Sequence, residues 1–210
     1  MSEKAVVGMP EGLRDIHEMC EKTAEMLRLT WGAFRRQDTA PLQGAEQLGR
    51  EVHRQEKALT EAFVKRLPGS PGAGGTHHEL FFVPMHLERI GDNIEFLIKA
   101  IRSMVRDGTP FTERAMREVN TLFEKAIELI ECVRDLVPTK NRVLIGHILK
   151  QGEWYAELAN EYALAHQQRL IEGVCMAKAS SLYLAIVDYL KGIEWHTRQI
   201  AQKLSLAQGV

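Results

Sequence analysis

Three carboxylates fall close together in the string His86-Leu87-Glu88-Arg89-Ile90-Gly91-Asp92-Asn93-Ile94-Glu95. On a helix turning about 100° per residue, Glu88 and Asp92 project roughly 40° apart, and Glu95 lies about 20° to the other side of Glu88. The apolar stripe of Leu87, Ile90, Ile94, Leu97, Ile98, Ile101 and Val105 occupies a different sector, so the acids face away from a core. Like charges at i, i+4 destabilise a bare helix, and something must offset them. A hard or borderline cation taking oxygen ligands would do so. Arg89, Lys99 or Arg102 on a solvated face would do so without a metal. His53 and Glu56, spaced i, i+3 on an earlier segment, are candidates to complete a metal site. His77 and His78 follow a glycine-rich stretch and read as the start of a helix.

The elements that must position these residues are helical, because apolar spacings of three and four recur and strict alternation does not. A first helix is expected over about 11–37, with Leu13, Ile16, Cys20, Ala24, Leu27, Trp31 and Phe34 on one stripe. A second follows over about 42–67. Pro68 to Gly75, PGSPGAGG, is the strongest breaker in the chain. A third helix is expected near 77–107, with Pro84 kinking it or starting it anew just before the acidic string. Gly108, Thr109 and Pro110 break the pattern. Thr112 and Glu113 then suit the start of a fourth helix running to about 136. Pro138 and Thr139 open a fifth, to about 170, and a sixth covers about 178–206. Helices of this length need antiparallel partners. The expected fold is all-α: two tandem three-helix bundles, 1–108 and 109–210.

The halves are alike. An offset of 103 residues sets Leu190 on Leu87, Ile193 on Ile90, Ile200 on Leu97 and Leu204 on Ile101. Without a gap it also pairs Leu13 with Met116, Leu27 with Ile130, Val52 with Tyr155 and Leu59 with Tyr162. Three helix pairs sharing one offset indicate a duplicated unit.

The string Glu88-Arg89-Ile90-Gly91-Asp92 closely resembles the ERIGD signature of the PhoU family, and the six-helix layout extends the resemblance over nearly the whole chain. The resemblance implies a regulator of phosphate uptake with two such bundles, whose ExxxD motifs bind metal on the helical surface. It implies as partner a phosphate transporter component or a phosphate-sensing histidine kinase. Glu88, Asp92 and Glu95 would then be metal ligands, with His53 and Glu56 standing where the family often carries a further carboxylate pair. Iron, zinc, magnesium and manganese all suit such donors. At the offset of 103 the second half departs from the signature: Lys191, Trp195 and Arg198 replace the three acids. Approximate two-fold symmetry, as the resemblance implies, brings the two signature helices together. Lys191 and Arg198 are then expected to pair with the acidic face or receive an anion. Glu194 and His196 project roughly 160° apart and are weak as joint ligands. Glu153, Glu157 and Glu161 on the fifth helix read as a solvated acidic face.

A net charge of −1 offers no basic surface for nucleic acid. Three cysteines, with no CxxC spacing, suggest neither a disulfide framework nor a zinc knuckle, and fit a reducing cytoplasm. Residues 1–12 contain no signal sequence, and no apolar run reaches the roughly 20 residues of a membrane span. Membrane contact is therefore expected only through a transporter. No nucleophile motif, phosphate loop or Ser-His-Asp arrangement suggests an enzyme. The main enzymatic competitor is a carboxylate-bridged dimetal protein of the ferritin-like kind. It needs Glu-x-x-His pairs, which are absent. A helical scaffold without bound metal is the third reading. Phe81 and Phe82 cannot both face one core and leave room for a homodimer surface.

Overall fold

The computed structural model describes residues 9–66 and 79–207. Six helices follow one another: α1 Glu11–Arg36, α2 Leu42–Arg66, α3 Phe82–Arg106, α4 Glu113–Thr139, α5 Arg142–Ile171 and α6 Ala177–Leu206. Among the described residues there is no strand, and no helix is long and apolar enough to cross a membrane. α1, α2 and α3 pack on one another, as do α4, α5 and α6. The bundles meet through α3 against α6 and α1 against α4, which leaves α2 and α5 on the flanks. One continuous apolar core runs through both bundles, from Ile16 and Leu27 to Leu87, Ile130, Tyr155 and Leu190.

The offset of 103 residues reappears in space. Arg28 of α1 makes an ion pair with Glu131 of α4, its own counterpart at that offset. Gln37 and Lys140, also counterparts, take left-handed φ values of 51° and 50° after α1 and α4. Each ends its helix with a backbone N–H turned back onto the last turn.

Two boundaries differ from the sequence expectation. α3 begins at Phe82 instead of near 77, so Pro84 sits in its first turn, where a missing N–H breaks no helical bond; of the two expectations for Pro84, the helix starts anew there. α4 runs through Pro138 to Thr139 instead of stopping near 136. Proline in a final turn keeps a helical φ and forfeits a single backbone bond, so it does not open the next helix. Asn141 does, its side chain accepting from Val143 N–H at 2.9 Å. The glycine-rich stretch 68–75 and His77 and His78 lie outside the described residues. Phe81 packs edge-on to Phe63, while Phe82 lies under the Lys203 ammonium, 4.8 Å from the ring centre. The two rings thus serve different neighbours within one molecule.

Candidate functional site

α3 buries Leu87, Ile90 and Ile94 and turns its acids into a groove of about 720 Å³ between itself and α2. Gly49 and His53 of α2 form one wall; Glu88, Gly91, Asp92 and Glu95 form the other. The helices approach closely at Gly49. A Cβ there would lie 3.2 Å from Glu95 Oε1 and 2.9 Å from Met26 Cε, so glycine makes room for the glutamate to reach across. Further along the groove, His53 Nδ1 lies 3.3 Å from Glu88 Oε1.

The five residues picked out as metal ligands do not assemble as a set. Asp92 accepts from Arg89 Nη1 at 2.9 Å, and Arg89 Nε lies 3.8 Å from Glu88 Oε2. Glu56 accepts from Thr60 Oγ1 at 2.9 Å along its own helix and is not part of the groove lining. Among the described residues, no three His, Cys, Asp or Glu side chains gather closely enough to hold a metal ion. The acidic face is offset instead by Arg89. Lys99 sits over the Phe96 ring, and Arg102 pairs with Glu46. What remains for a cation is one nitrogen and one carboxylate facing each other, with Glu95 on the same wall.

The corresponding face of α6 corrects a second expectation. Arg198 Nε donates to Glu194 Oε1 at 2.9 Å within α6, so it does not reach across to Glu88 or Asp92. Glu194 is buried, and burial pushes its carboxyl up despite the guanidinium beside it. Lys191 makes no ion pair among the described residues. The contact between the signature helices is made otherwise: Asn93 of α3 lies against Gly192 of α6, and Phe96 stacks on Tyr189 with centroids 5.3 Å apart. His86 Nδ1 meets His196 Nδ1 at 3.0 Å, with Trp195 edge-on to both rings. Burial holds both imidazoles below their usual range, His196 to about 4, where the neighbouring His86 and the Arg89 guanidinium add to the effect. Two neutral rings of complementary tautomer satisfy the bond. Glu153, Glu157 and Glu161 are exposed, as a solvated face requires.

Sequence reasoning missed a polar cluster buried in the second bundle. Glu118 of α4, 5% exposed, accepts from Arg169 Nη1 and Nη2 at 3.0 and 2.7 Å and from the Tyr183 hydroxyl at 2.6 Å. Arg114 Nε adds a fourth bond at 2.9 Å. Burial would raise the Glu118 carboxyl, but these donors outweigh it and hold it below the ordinary carboxylate value. The available signal was a charge inside an apolar stripe: Glu118 falls between Ala115, Val119 and Leu122, all buried.

Residues 16–101, from the second turn of α1 almost to the end of α3, match the family profile of the PhoU domain. No sequence among the curated proteins matches this one. In fold, the chain is similar over 100% of both lengths to the crystal structure of PhoU from Pseudomonas aeruginosa, at a TM-score of 0.85 and 16% identity. It is similar to the phosphate transport system regulatory protein PhoU from Streptococcus pneumoniae at a TM-score of 0.80 and 12% identity, over 94% of this chain and 93% of that one. A PhoU-like protein from Shewanella oneidensis superposes at 0.65 and 11% identity, over 95% of this chain and 100% of that one.

Proposed function

We propose that this chain, matched to the PhoU domain over residues 16–101 and carrying the PhoU fold over its whole length, is a regulator of phosphate transport and phosphate signalling. The observation that carries this reading is a coincidence of scales. The ERIGD string lies on α3 inside the matched span, and the fold agreement extends over all of both chains. The chain acts as a non-catalytic adaptor in the cytoplasm, working as a homodimer. It docks on a phosphate transporter component or a phosphate-sensing histidine kinase and meets the membrane only through that partner. Off-core carboxylates paired with an arginine support an adaptor over a ferritin-like oxidase, which needs inward ligands on facing helices. The test is affinity capture of the tagged full chain from phosphate-replete cells, read by mass spectrometry. A transporter component or histidine kinase of the phosphate system should be enriched over an untagged control. Enrichment of neither contradicts the reading.

A second reading adds a divalent cation, iron, zinc, magnesium or manganese, held by His53 and Glu88, with Glu95 joining only by swinging toward them along the groove. The 3.3 Å approach of His53 to Glu88, with Glu95 on the same groove, favours it. Asp92 would join only by leaving Arg89. Elemental mass spectrometry on untagged protein decides it: stoichiometric metal, lost in Glu88→Ala, is expected, and metal-free protein from supplemented growth contradicts it.

A further inference from the structure

The 103-residue offset that relates the two halves inverts the charge of one face of the molecule. α3 packs on α6 and α1 on α4, so α2, α3, α6 and α5 lie in that order across one side. Each end of this row is built on the same glycine: a Cβ on Gly49 would meet Glu95 of α3, and a Cβ on its counterpart Gly152 would meet Glu194 and Arg198 of α6. Beside these glycines, Arg50 and Arg54 of α2 become Glu153 and Glu157 of α5. Glu88 and Glu95 of α3 become Lys191 and Arg198 of α6. On the opposite side the signs are mostly kept: Asp15, Lys22 and Glu25 of α1 return as Glu118, Lys125 and Glu128 of α4.

The inverted charges are also the ones left unpaired. On α1 and α4, Lys22 pairs with Glu18, Glu25 with Arg28 and Lys125 with Glu128. Arg50 donates to Gln47 and Arg54 to a backbone carbonyl of its own helix, neither to a carboxylate. Glu95, Glu153, Glu157 and Lys191 have no ion pair among the described residues. Only Glu88 and Arg198 are engaged internally, by His53 and Glu194. Between the two charged flanks, the seam of α3 and α6 carries half-exposed rings. Phe96, 44% exposed, stacks on Tyr189 across the seam, and Trp195, 47% exposed, stands edge-on to His86. Aromatic groups ringed by complementary charge are what the centre of a protein interface presents.

We propose that this face is the contact between two copies of the chain, related by a two-fold axis that runs along the α3–α6 seam. Such an axis lays α3 of one copy over α6 of the other and α2 over α5, and every contact occurs twice. A face whose halves carry opposite charge matches a second copy of itself turned over; an unrelated partner requires no such relation. The axis also keeps each residue at its own level along the seam. His86 against His196 brings the stretch of α3 holding Glu88 level with the stretch of α6 holding Glu194 and Arg198. His53 stands beside the first stretch and Gly152 beside the second. Arg54, next to His53, therefore faces Glu153 of the other copy. Phe96 on Tyr189 sets the next level, where Glu95 faces Lys191 of the other copy. The inference deepens the homodimer named under the proposed function and rests on that reading for the dimer alone.

The experiment is sedimentation equilibrium of the full chain at low salt over a concentration series, with Arg54→Glu and Glu153→Lys each alone and the two mixed. Both side chains are exposed, so neither substitution disturbs the core. The parent chain should be a dimer. Each variant alone should dissociate at concentrations about tenfold or more higher, because the two-fold repeats one like-charge contact twice. An equimolar mixture should recover the parent's affinity, since each introduced charge then meets its opposite on the other copy; that recovery also shows that both variants fold. A dimer unchanged in both variants overturns the proposal by placing the contact on another face, and leaves the homodimer standing. Weakened variants whose mixture does not recover overturn the two-fold pairing, as do assemblies larger than a dimer. A parent that stays monomeric overturns the proposal and the homodimer together, while regulation of phosphate transport keeps its own test in the capture experiment. If capture of a transporter component is then lost in both variants, the face belongs to that partner instead.

Discussion

Arg89 holds Asp92 at 2.9 Å and stands 3.8 Å from Glu88, so the acidic face of α3 carries its own counter-cation. These groups are solvated, and Arg89→Ala should lower stability by less than about 1 kcal/mol. The buried counterpart behaves differently. Glu118→Gln leaves Arg169 without its partner in a dry site and should cost about 3–5 kcal/mol, lowering the thermal midpoint by on the order of 10 °C. The pH dependence follows from the same residues. The folded carboxyl of Glu118 titrates below its unfolded value, so its stabilisation is complete above the ordinary carboxylate range and is lost as pH falls through the folded value. His196 acts in the same direction over a different window: below about pH 6.5 the unfolded chain takes up a proton that the folded ring refuses until about 4. Chemical denaturation at pH 7, 6 and 5 should therefore show stability falling with acid, with a shallower slope in His196→Asn. A slope unchanged by that substitution would contradict the account. The acidic face was legible in the sequence because its members are near neighbours on one helix. His86 with His196, and Glu118 with Arg169 and Tyr183, were not, since their partners lie 110, 51 and 65 residues away and leave no local signature.

Helix boundaries were legible to within a few residues wherever a breaker and a stripe agreed, as at Gln37 and Gly108. They failed where proline alone was the guide, because Pro138 fits a final helical turn as readily as a first one. Packing between helices depends on positions that periodicity does not mark. A Cβ on Gly152 of α5 would come within 2.5 Å of the buried Glu194 Oε1 of α6, which Arg198 holds in place. Gly152→Ala should accordingly push α5 from α6 and cost about 1–3 kcal/mol in urea denaturation. A neutral outcome would contradict a close α5–α6 contact at Gly152.

The two bundles share one core, with α1 and α3 of the first half covered by α4 and α6 of the second. Calorimetry of the full chain should therefore show a single transition, with calorimetric and van't Hoff enthalpies equal. A fragment of residues 1–108 exposes both covered faces and should self-associate or remain unfolded; a stable monomer would contradict a shared core. The pairing of halves was legible from the 103-residue offset, and it returns in the Arg28–Glu131 ion pair. The composition of the interface was not legible, because Arg198 of α6 pairs with Glu194 of its own helix, and it is His196 that meets α3, through His86 and not through the acids. A role in regulating phosphate transport is tested most directly by phosphate uptake in phosphate-replete cells lacking this chain. Uptake should be misregulated relative to the parent and return when the chain is restored; rates equal in all three strains would contradict the claim.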